Sequence, residues 1–297
     1  MKTLLFIYNP VSGKGLIRQK LSAVLNRFTQ AGWLVTVYPT QGPGEATRIT
    51  AELGAQYDRV VCSGGDGTLS ETVSGLMRLA DPPELGYIPV GSTNDCARNL
   101  RRPAGIEKTA MLAAGGGVLR PLDVGLLNGK PFVYVAAFGA FTDIAYDTPQ
   151  EMKNTFGHLA YIVNGIGELV TLAPHHLRVE SGETVIEGDF LYGMMCNTYS
   201  VGGMRAMPES QVVLDDGLCE VVLVRKEIAL SDLTTALQSL ASGQPISTPS
   251  IISFQSSDVT FSCDHAIPWT IDGEYGGTYA VSRAVNRARA INVVFGK

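Results

Sequence analysis

The sequence predicts two domains: an N-terminal α/β domain built on a parallel sheet and a C-terminal domain of antiparallel β-strands. The 297 residues correspond to about two domains of ordinary size. Before residue 125, short apolar runs alternate with helical patterns, which is typical of a parallel sheet covered by helices. After residue 125, alternating segments joined by glycine-rich connections indicate antiparallel strands.

The first domain, predicted to span residues 1–125, contains four apolar runs that are typical of strands. These runs are residues 4–8, 33–38, 59–62 and 85–89. Between the first two, Leu21, Val24, Leu25 and Phe28 follow the spacing i, i+3, i+4 and i+7, which places them on one face of a helix. Because strands and helices alternate, we expect the strands to pair in parallel.

The second domain, predicted to span residues 126–297, contains mostly strand patterns. The predicted strands are residues 132–135, 176–180, 189–196, 218–224, 258–263, 268–271 and 290–295, and one helix is predicted near 230–240. The prediction allows the extreme C-terminus to pack back on the first domain.

Composition and charge exclude several classes of protein. With 17% charged and 45% hydrophobic residues, global disorder is excluded, and the net charge of −5 argues against nucleic acid as a partner. The five cysteines are odd in number and widely spaced, which favours a reducing cytoplasm over a disulfide framework or a zinc ribbon. No apolar run approaches the ~20 residues that span a bilayer, and residues 4–8 are too short for a signal peptide. We therefore predict a cytoplasmic protein.

The first motif is N-P-V-S-G-K-G at residues 9–15, between a predicted strand and a predicted helix. A glycine-rich turn at this place directs backbone N–H groups and the positive end of the helix dipole outwards, which suits a phosphate. It is not a Walker A loop, because the glycine spacing differs and no Ser or Thr follows Lys14. An ordinary turn with Ser12 as the helix N-cap explains these residues equally well.

The second motif is S-G-G-D-G-T at residues 63–68, directly after the third strand. Its glycines let the backbone approach a bulky anion, and Asp66 lies where a magnesium-bound phosphate would need a carboxylate. The alternative is a tight turn in which Asp66 caps the following helix. The phosphate interpretation is favoured, because G-G-D-G-T is rarer than G-x-G-x-x-G, a motif that this stretch does not match because Ser70 takes the place of its last glycine.

The third motif is P-V-G-S-T-N-D at residues 89–95, directly after the fourth strand. All three motifs thus lie at the carboxyl ends of strands in one predicted sheet. Open α/β sheets bind ligands at that edge. Their convergence predicts a phosphate-binding site.

Together the motifs resemble those of the bacterial soluble diacylglycerol kinase-type lipid kinases. N-P-x-S-G at 9–13, G-G-D-G-T at 64–68 and G-[ST]-x-N-D at 91–95 have the order and spacing of that family. The resemblance continues with P-L-D-V-G at 121–125, N-G at 128–129, G-G-M at 202–204, Pro208, D-D-G-L at 215–218 and I-D-G-E at 271–274. It covers essentially the whole chain, and the combination is specific.

The resemblance implies an N-terminal domain similar to those of NAD kinases and phosphofructokinases, which would bind ATP, and a C-terminal domain that resembles a β-sandwich. Carried over residue by residue, the implied nucleotide site consists of Asn9, Pro10, Ser12, Gly13, Thr40, Gly65, Asp66, Gly67, Thr68, Leu69, Ser70, Glu71 and Ser92.

The resemblance also implies which residues carry the chemistry. Asp66, Asp95 and Asp123 would form a carboxylate and water network around the catalytic Mg²⁺. Glu274 would be the general base that takes the proton from the lipid hydroxyl. It follows the turn-forming pair Asp272 and Gly273, so its carboxylate could project into a cleft. Judged without the family, a solvent-exposed hairpin glutamate is the simpler interpretation.

A second, structural metal is implied at the acidic turn near residue 216. The Asp216 carboxylate and the carbonyl groups of Val213 and Leu218 would suit Mg²⁺ or Ca²⁺ rather than zinc. An acidic turn before a strand explains the same residues. Ser92 and Cys96 depart from the family pattern, where threonine and an aromatic residue are usual, but neither departure removes an implied role.

The expected activity is ATP- and Mg²⁺-dependent phosphorylation of a lipid hydroxyl, foremost conversion of diacylglycerol to phosphatidic acid. The first alternative is a soluble-substrate kinase of the NAD kinase type, although its N-x-G-x-x-G-F run is missing after the fourth strand. The second is a non-catalytic lipid- or nucleotide-binding regulator, against which the intact Asp66 and Glu274 argue. Other lipid alcohols also remain candidate acceptors.

Two basic clusters are candidates for transient contact with the inner face of a membrane. They are Arg98, Arg101 and Arg102, and Arg283, Arg287 and Arg289. Each basic residue near an anionic leaflet contributes about 1 kcal/mol. A solvated helix face or neutralisation of phosphates explains the clusters as well. The resemblance also makes a homodimer a reasonable expectation.

Overall fold

The computed structural model describes residues 1–91, 94–139, 173–201, 204–205, 212–242 and 248–296. The chain forms two compact units. Unit 1 comprises Met1–Val124, Leu214–Asp216 and Ala288–Lys297, and unit 2 comprises Gly125–Val213 and Gly217–Arg287. Residues 214–216, which fall inside the predicted second domain, thus belong to unit 1. Ser92, the G-G pair at 202–203 and Pro208 lie outside the described residues.

Unit 1 is built on parallel strands that alternate with helices. Its elements are β1 (Lys2–Tyr8), α1 (Ser12–Gln30), β2 (Trp33–Pro39), α2 (Glu45–Leu53), β3 (Arg59–Gly64), α3 (Asp66–Leu76), β4 (Glu84–Pro89), α4 (Asp95–Asn99), α5 (Ile106–Met111) and the first part of β5 (Val118–Leu127). The strand order is β2-β1-β3-β4, and all three pairings are parallel. Val293, near the C-terminus, pairs in parallel with Leu85 of β4.

The core of unit 1 follows from its apolar pattern. Residues 4–7 of β1 are fully buried, as expected for a central parallel strand covered on both faces. On α1, Val24 and Phe28 are buried, and Leu21 and Leu25 pack against the same core. The predicted apolar face of this helix is therefore confirmed.

Unit 2 is built mainly from antiparallel strands. Its elements are the last part of β5, β6 (Lys130–Phe132), β7 (Val135–Gly139), β8 (His175–Ser181), β9 (Thr184–Cys196), β10 (Ser200–Val201), β11 (Met204–Arg205), β12 (Cys219–Arg225), α6 (Leu230–Ser242), β13 (Ile251–Ser256), β14 (Asp258–Ile271) and most of β15 (Glu274–Phe295). The main strand order is β13-β12-β9-β7-β14-β15, and β8 pairs with both β9 and β14. Phe138, Phe261 and Trp269 form an aromatic cluster in its core, with ring centroids 5.0–6.0 Å apart.

Two strand predictions in unit 2 are wrong in detail. Predicted strand 132–135 is broken, because the backbone N–H groups of Val133, Tyr134 and Val135 turn towards the Asp272 carboxylate instead of a neighbouring strand. Predicted strands 258–263 and 268–271 are one strand, β14, whose register against β15 shifts between them. A β-bulge explains why the alternation fades there without the strand ending.

Candidate active site

The candidate site in unit 1 lies at the carboxyl ends of its parallel strands. Backbone hydrogen bonds join the segments that leave these strands: Asn9 N–H donates to Ser63 O, and Val90 N–H donates to Gly64 O, both at 2.9 Å. After β2, buried Thr40 donates its N–H to Tyr8 O at 2.9 Å. The predicted convergence of the three motifs is therefore found at one sheet edge.

The loop after β1 is held in an unusual backbone conformation. Its first residue, Asn9, accepts a hydrogen bond from Val11 N–H at 3.0 Å, which makes an Asx-turn. Gly13, Lys14 and Gly15 then all have positive φ, and regular helix begins after them. The N-cap position of α1 is taken by Val11, which makes no side-chain capping bond, rather than by Ser12. Ser12 and Pro10 are half-buried. The loop is thus more than an ordinary capped turn.

Gly13 is required by contact as well as by conformation. Its φ is +56°, and a Cβ there would overlap the carbonyl oxygen of Val90 in the loop after β4. We expect Gly13→Ala to lower the free energy of unfolding by about 1–3 kcal/mol and to weaken ATP binding. Thermal melting and calorimetry would measure both effects. Gly15→Ala is the matched control, because its φ is +73° but its Cβ would lie 3.7 Å from the nearest atom; an equal loss in both variants would contradict the contact argument.

The loops after β3 and β4 also meet through glycines. A Cβ on Gly91 would lie 2.6 Å from Cα of Gly65. The Asn94 side chain holds the third motif closed, since its Oδ1 accepts Gly91 N–H at 2.9 Å and its Nδ2 donates to Gly91 O at 2.6 Å. At φ +51°, Asn94 also adopts the left-handed conformation that asparagine tolerates.

Asp66 joins the second motif to the third. Its two carboxylate oxygens accept the N–H groups of Asp95 at 3.1 Å and Cys96 at 3.2 Å, at the first turn of α4. The sequence suggested that Asp66 could cap the helix that follows it, α3, but these two bonds place its carboxylate at the start of α4. Burial, together with the Asp66 charge, raises the pKa of Tyr87 well above its usual range, and the Tyr87 hydroxyl donates to Gly64 O at 3.3 Å.

Two substitutions at Asp66 separate its structural role from the chemical role that the resemblance implies. We expect Asp66→Ala to lower the free energy of unfolding by about 0.5–2 kcal/mol and to abolish phosphoryl transfer. Asp66→Asn keeps one of the two capping oxygens but loses the charge, so it should restore part of the stability and none of the transfer. Melting temperature and initial rate are measured on both. Recovery of transfer in Asp66→Asn would mean that capping is the only role of this residue.

The residues that the family pattern assigns to ATP on α3 fall into two groups. Thr68 and Leu69 are buried, whereas Gly67 and Ser70 are half-buried. Glu71 turns to a neighbouring helix: its Oε1 accepts Gly44 N–H at 2.7 Å and its Oε2 accepts Ala46 N–H at 3.1 Å. The Glu71 carboxylate thus caps α2, which its sequence context did not predict.

Asp95 and Asp123 are buried carboxylates of unit 1, with 2% and 0% of their surfaces exposed. Asp123 draws together distant parts of the chain. Its Oδ1 accepts Arg289 N–H at 2.6 Å, and its own N–H donates to Leu214 O at 2.8 Å. Arg289 Nε in turn donates to Asp215 O at 3.2 Å. Sequence reasoning missed this role of Arg289 and placed it only in a basic cluster.

In unit 2, Glu274 follows a tight turn between β14 and β15. Asp272 and Gly273 have φ of +49° and +83°, and Ile271 pairs with Glu274, as in a two-residue hairpin with a type I′ turn. Asp272 is 4% exposed, and its carboxylate accepts three backbone N–H groups at 2.8–3.2 Å. Glu274 itself is exposed.

The structural metal site implied at Val213, Asp216 and Leu218 stays a prediction.

The basic clusters are less available than the sequence suggested. Arg283 forms a bidentate ion pair with Asp258. The Arg102 guanidinium is buried, and none of its three nitrogens has a hydrogen-bond partner in the part of the chain that the structure describes. Burial lowers the pKa of Arg102 to about 10. Arg102 therefore cannot contribute to a surface cluster.

A buried cation without hydrogen bonds should cost stability. We expect Arg102→Met, which keeps most of the side-chain length, to raise the free energy of unfolding by about 1–3 kcal/mol. Denaturant titration measures this change, and Arg101→Met on the neighbouring exposed residue should shift stability by no more than about 0.5 kcal/mol. A destabilised Arg102→Met would show instead that the guanidinium has a stabilising partner.

Glycine loops that meet at the carboxyl ends of parallel strands define unit 1 as a phosphate-binding α/β domain. Comparison with known proteins agrees. Residues 3–127 match the family described as the diacylglycerol kinase catalytic domain, and residues 139–295 match the YegS C-terminal NAD kinase beta sandwich-like domain. The chain belongs to the diacylglycerol kinase family and is a lipid kinase, whose phosphoryl donor is ATP.

Relatives and solved structures match nearly the whole chain. The diacylglycerol kinase of Bacillus subtilis is 35% identical, over 100% of this chain and 97% of that protein. The diacylglycerol kinase of Staphylococcus carnosus is 33% identical, over 91% of this chain and 88% of that protein. A crystal structure of a diacylglycerol kinase from Bacillus anthracis has a TM-score of 0.75 at 20% identity. The match covers 99% of this chain and 97% of that chain, which shows the shared fold. Among the described helices, none is long and apolar enough to cross a membrane.

Proposed function

We propose that the protein transfers the γ-phosphoryl group of ATP to the hydroxyl group of diacylglycerol and so produces phosphatidic acid. The observation that carries this proposal is the meeting of three glycine loops, after β1, β3 and β4, at one edge of the parallel sheet. The names of the relatives from Bacillus and Staphylococcus support diacylglycerol as the acceptor. In this proposal unit 1 binds ATP.

The glycine loops fit a chain of phosphates, because their closest approaches leave no room for side chains. A Cβ would collide with the neighbouring loop at Gly13 and again at Gly91. Backbone N–H groups can then approach phosphate oxygens directly, near the start of a helix. We assign ATP binding to Asn9, Pro10, Ser12, Gly13, Thr40 and residues 65–71, as the family pattern implies.

Two buried carboxylates of unit 1 fit a divalent cation. Asp95 and Asp123 are almost fully buried, and carboxylate oxygens are the ligands that Mg²⁺ prefers in proteins. We propose that Asp66, Asp95 and Asp123 hold Mg²⁺, directly or through water. Mg²⁺ would neutralise charge on the transferring phosphoryl group. The residues themselves fix the loops: Asp66 does so through the first turn of α4.

Glu274 is the proposed general base. Its carboxylate takes the proton from the acceptor hydroxyl while the hydroxyl oxygen bonds to the γ-phosphorus, and the bond from that phosphorus to the bridging oxygen breaks to release ADP. The type I′ turn fixes the backbone from which Glu274 projects, and the buried Asp272 stabilises that turn. Holding the base on a rigid hairpin reduces the motion that must be lost before transfer.

We also propose transient contact with anionic lipid through the exposed Arg98 and Arg101. Two such residues give weak adsorption, at about 1 kcal/mol each. More protein should sediment with anionic than with neutral vesicles, and Arg98→Ala combined with Arg101→Ala should remove the difference. Equal sedimentation of the unchanged protein with both vesicles would rule out the contact.

Transfer of ³²P from labelled ATP tests the proposed function. Separate reactions contain Mg²⁺ with mixed micelles of diacylglycerol, with micelles of other lipid alcohols, or with NAD. Label that enters the organic phase as phosphatidic acid is the expected result. Label on another lipid would identify that lipid as the acceptor in place of diacylglycerol. Label on NAD would instead identify a soluble-substrate kinase of the NAD kinase type.

A further inference from the structure

A cluster of metal-ligating side chains lies in unit 2 at the bulge of β14. The register of β14 against β15 moves from Ser262 opposite Val281 to Ile267 opposite Tyr279. Residues 263–266 therefore face a single residue of β15, which is a β-bulge. Asp264 and His265 are exposed and Cys263 is partly exposed. None of these residues belongs to the kinase motifs.

On its other side, β14 pairs with β8, and this pairing adds a second histidine to the cluster. Cys263 lies opposite Leu177 in the antiparallel register. Two residues further along, the same register brings His265 opposite His175. The two rings are in contact, with His265 Nε2 3.0 Å from His175 Nδ1. A β-bulge and a cross-strand pair thus bring together residues that the sequence separates by 90 positions.

The donor atoms are close enough to share one ion. Cys263 Sγ lies 3.4 Å from His265 Nδ1 and 3.5 Å from Asp264 Oδ1, and these last two atoms are 2.6 Å apart. Zinc bonds of about 2.0–2.3 Å in a tetrahedron place neighbouring ligands roughly 3.3–3.6 Å apart. The two distances to sulfur already match, and the hydrogen-bonded imidazole and carboxylate need to separate by less than about 1 Å.

The chemistry of the donors selects the kind of ion. A thiolate and an imidazole favour zinc-like transition metals, whereas Mg²⁺ and Ca²⁺ prefer sites made only of oxygen. A metal-binding histidine ordinarily uses its other ring nitrogen in a hydrogen bond that fixes the ring. The contact from His265 Nε2 to His175 supplies that bond.

We propose that Cys263, Asp264 and His265 bind a zinc-like divalent cation, with His175 orienting the His265 ring. Binding forms a metal–sulfur bond as the Cys263 thiol releases its proton to solvent. A water molecule completes the tetrahedron. The site is independent of the proposed function, since its residues take no part in phosphoryl transfer.

Cobalt(II) titration of the full chain, free of any histidine tag and of ATP, tests this site. Co²⁺ bound to thiolate absorbs in the near ultraviolet, and the other four cysteines are buried, so the band reports on Cys263. We expect a one-to-one complex that Zn²⁺ displaces. Cys263→Ser should abolish the band, and His265→Asn should weaken binding at least 10-fold.

Two further variants sharpen the test. His175→Ala should weaken binding about 10- to 100-fold, as loss of an outer hydrogen-bond partner does. His176→Asn is the matched control, because His176 is exposed and bonded instead to Asp189 and Glu187; it should leave binding unchanged. Absence of the band in the unchanged protein, or a band that His265→Asn leaves intact, would overturn the site. Circular dichroism verifies that each variant is folded.

Discussion

Glu274→Gln is expected to lower kcat for lipid phosphorylation by about 10²–10⁴-fold while ATP binding is retained. The amide that replaces the carboxylate cannot accept a proton, and a general base contributes a factor of that size. Because Glu274 is exposed and follows a turn held by Asp272, the substitution should not change the melting temperature. Initial rates in mixed micelles, with calorimetry for ATP, measure the two effects separately.

Glu274→Asp and Tyr275→Phe are useful controls for this prediction. The aspartate keeps a base but moves it back by one methylene, so it should retain more activity than glutamine. Tyr275 is the exposed neighbour on the same strand, and among the residues that the structure describes its hydroxyl bonds only to Thr278. Loss of this hydroxyl should therefore leave kcat unchanged. Near-normal kcat in Glu274→Gln would remove this residue from the chemistry.

Much of unit 1 could be predicted because its information is local. Each strand is a continuous apolar run, and each phosphate-like loop is a contiguous motif at a strand end. The shared edge of a parallel sheet then brings the motifs together, so Gly13 and Val90 meet although 77 positions separate them. The apolar face of α1 follows from the 3.6-residue period in the same way.

The contacts between motifs could not be predicted, because they depend on where side chains point. The sequence suggests that Asp66 could cap its own helix, but its oxygens bond to α4. Glu71 similarly caps α2. The local sequence, a carboxylate near a glycine turn, is compatible with capping either its own helix or a neighbouring one. Only the packing of the helices decides between the two.

In unit 2 the sequence separated segments that the fold joins. The alternation of β14 fades at residues 263–266, because a bulge carries them out of register with β15. The predicted strand at residues 132–135 is also interrupted between β6 and β7, although its sequence is continuously apolar. The cause, a buried aspartate more than 130 positions away, leaves no local signal in the broken segment.

Asp272→Ala is expected to be the most destabilising single change among the polar residues of this hairpin. The carboxylate accepts the N–H groups of Val133, Tyr134 and Val135 in a buried place, so its removal leaves up to three donors without an acceptor. Hydrogen bonds to a charged group contribute about 1.5–3 kcal/mol each, and they are not additive. We expect a loss of about 3–5 kcal/mol in the free energy of unfolding, measured by denaturant titration.

Comparison of Asp272→Ala with Asp272→Asn tests whether the turn positions the base. Asparagine tolerates the φ of +49° and keeps one acceptor oxygen, so Asp272→Asn should fold with a smaller loss. If the turn positions Glu274, the folded Asp272→Ala protein should lose kcat while the KM for ATP stays constant, and Asp272→Asn should keep more of its kcat. Unchanged kcat in a destabilised protein would mean that Asp272 acts on stability alone, and that Glu274 needs no such support.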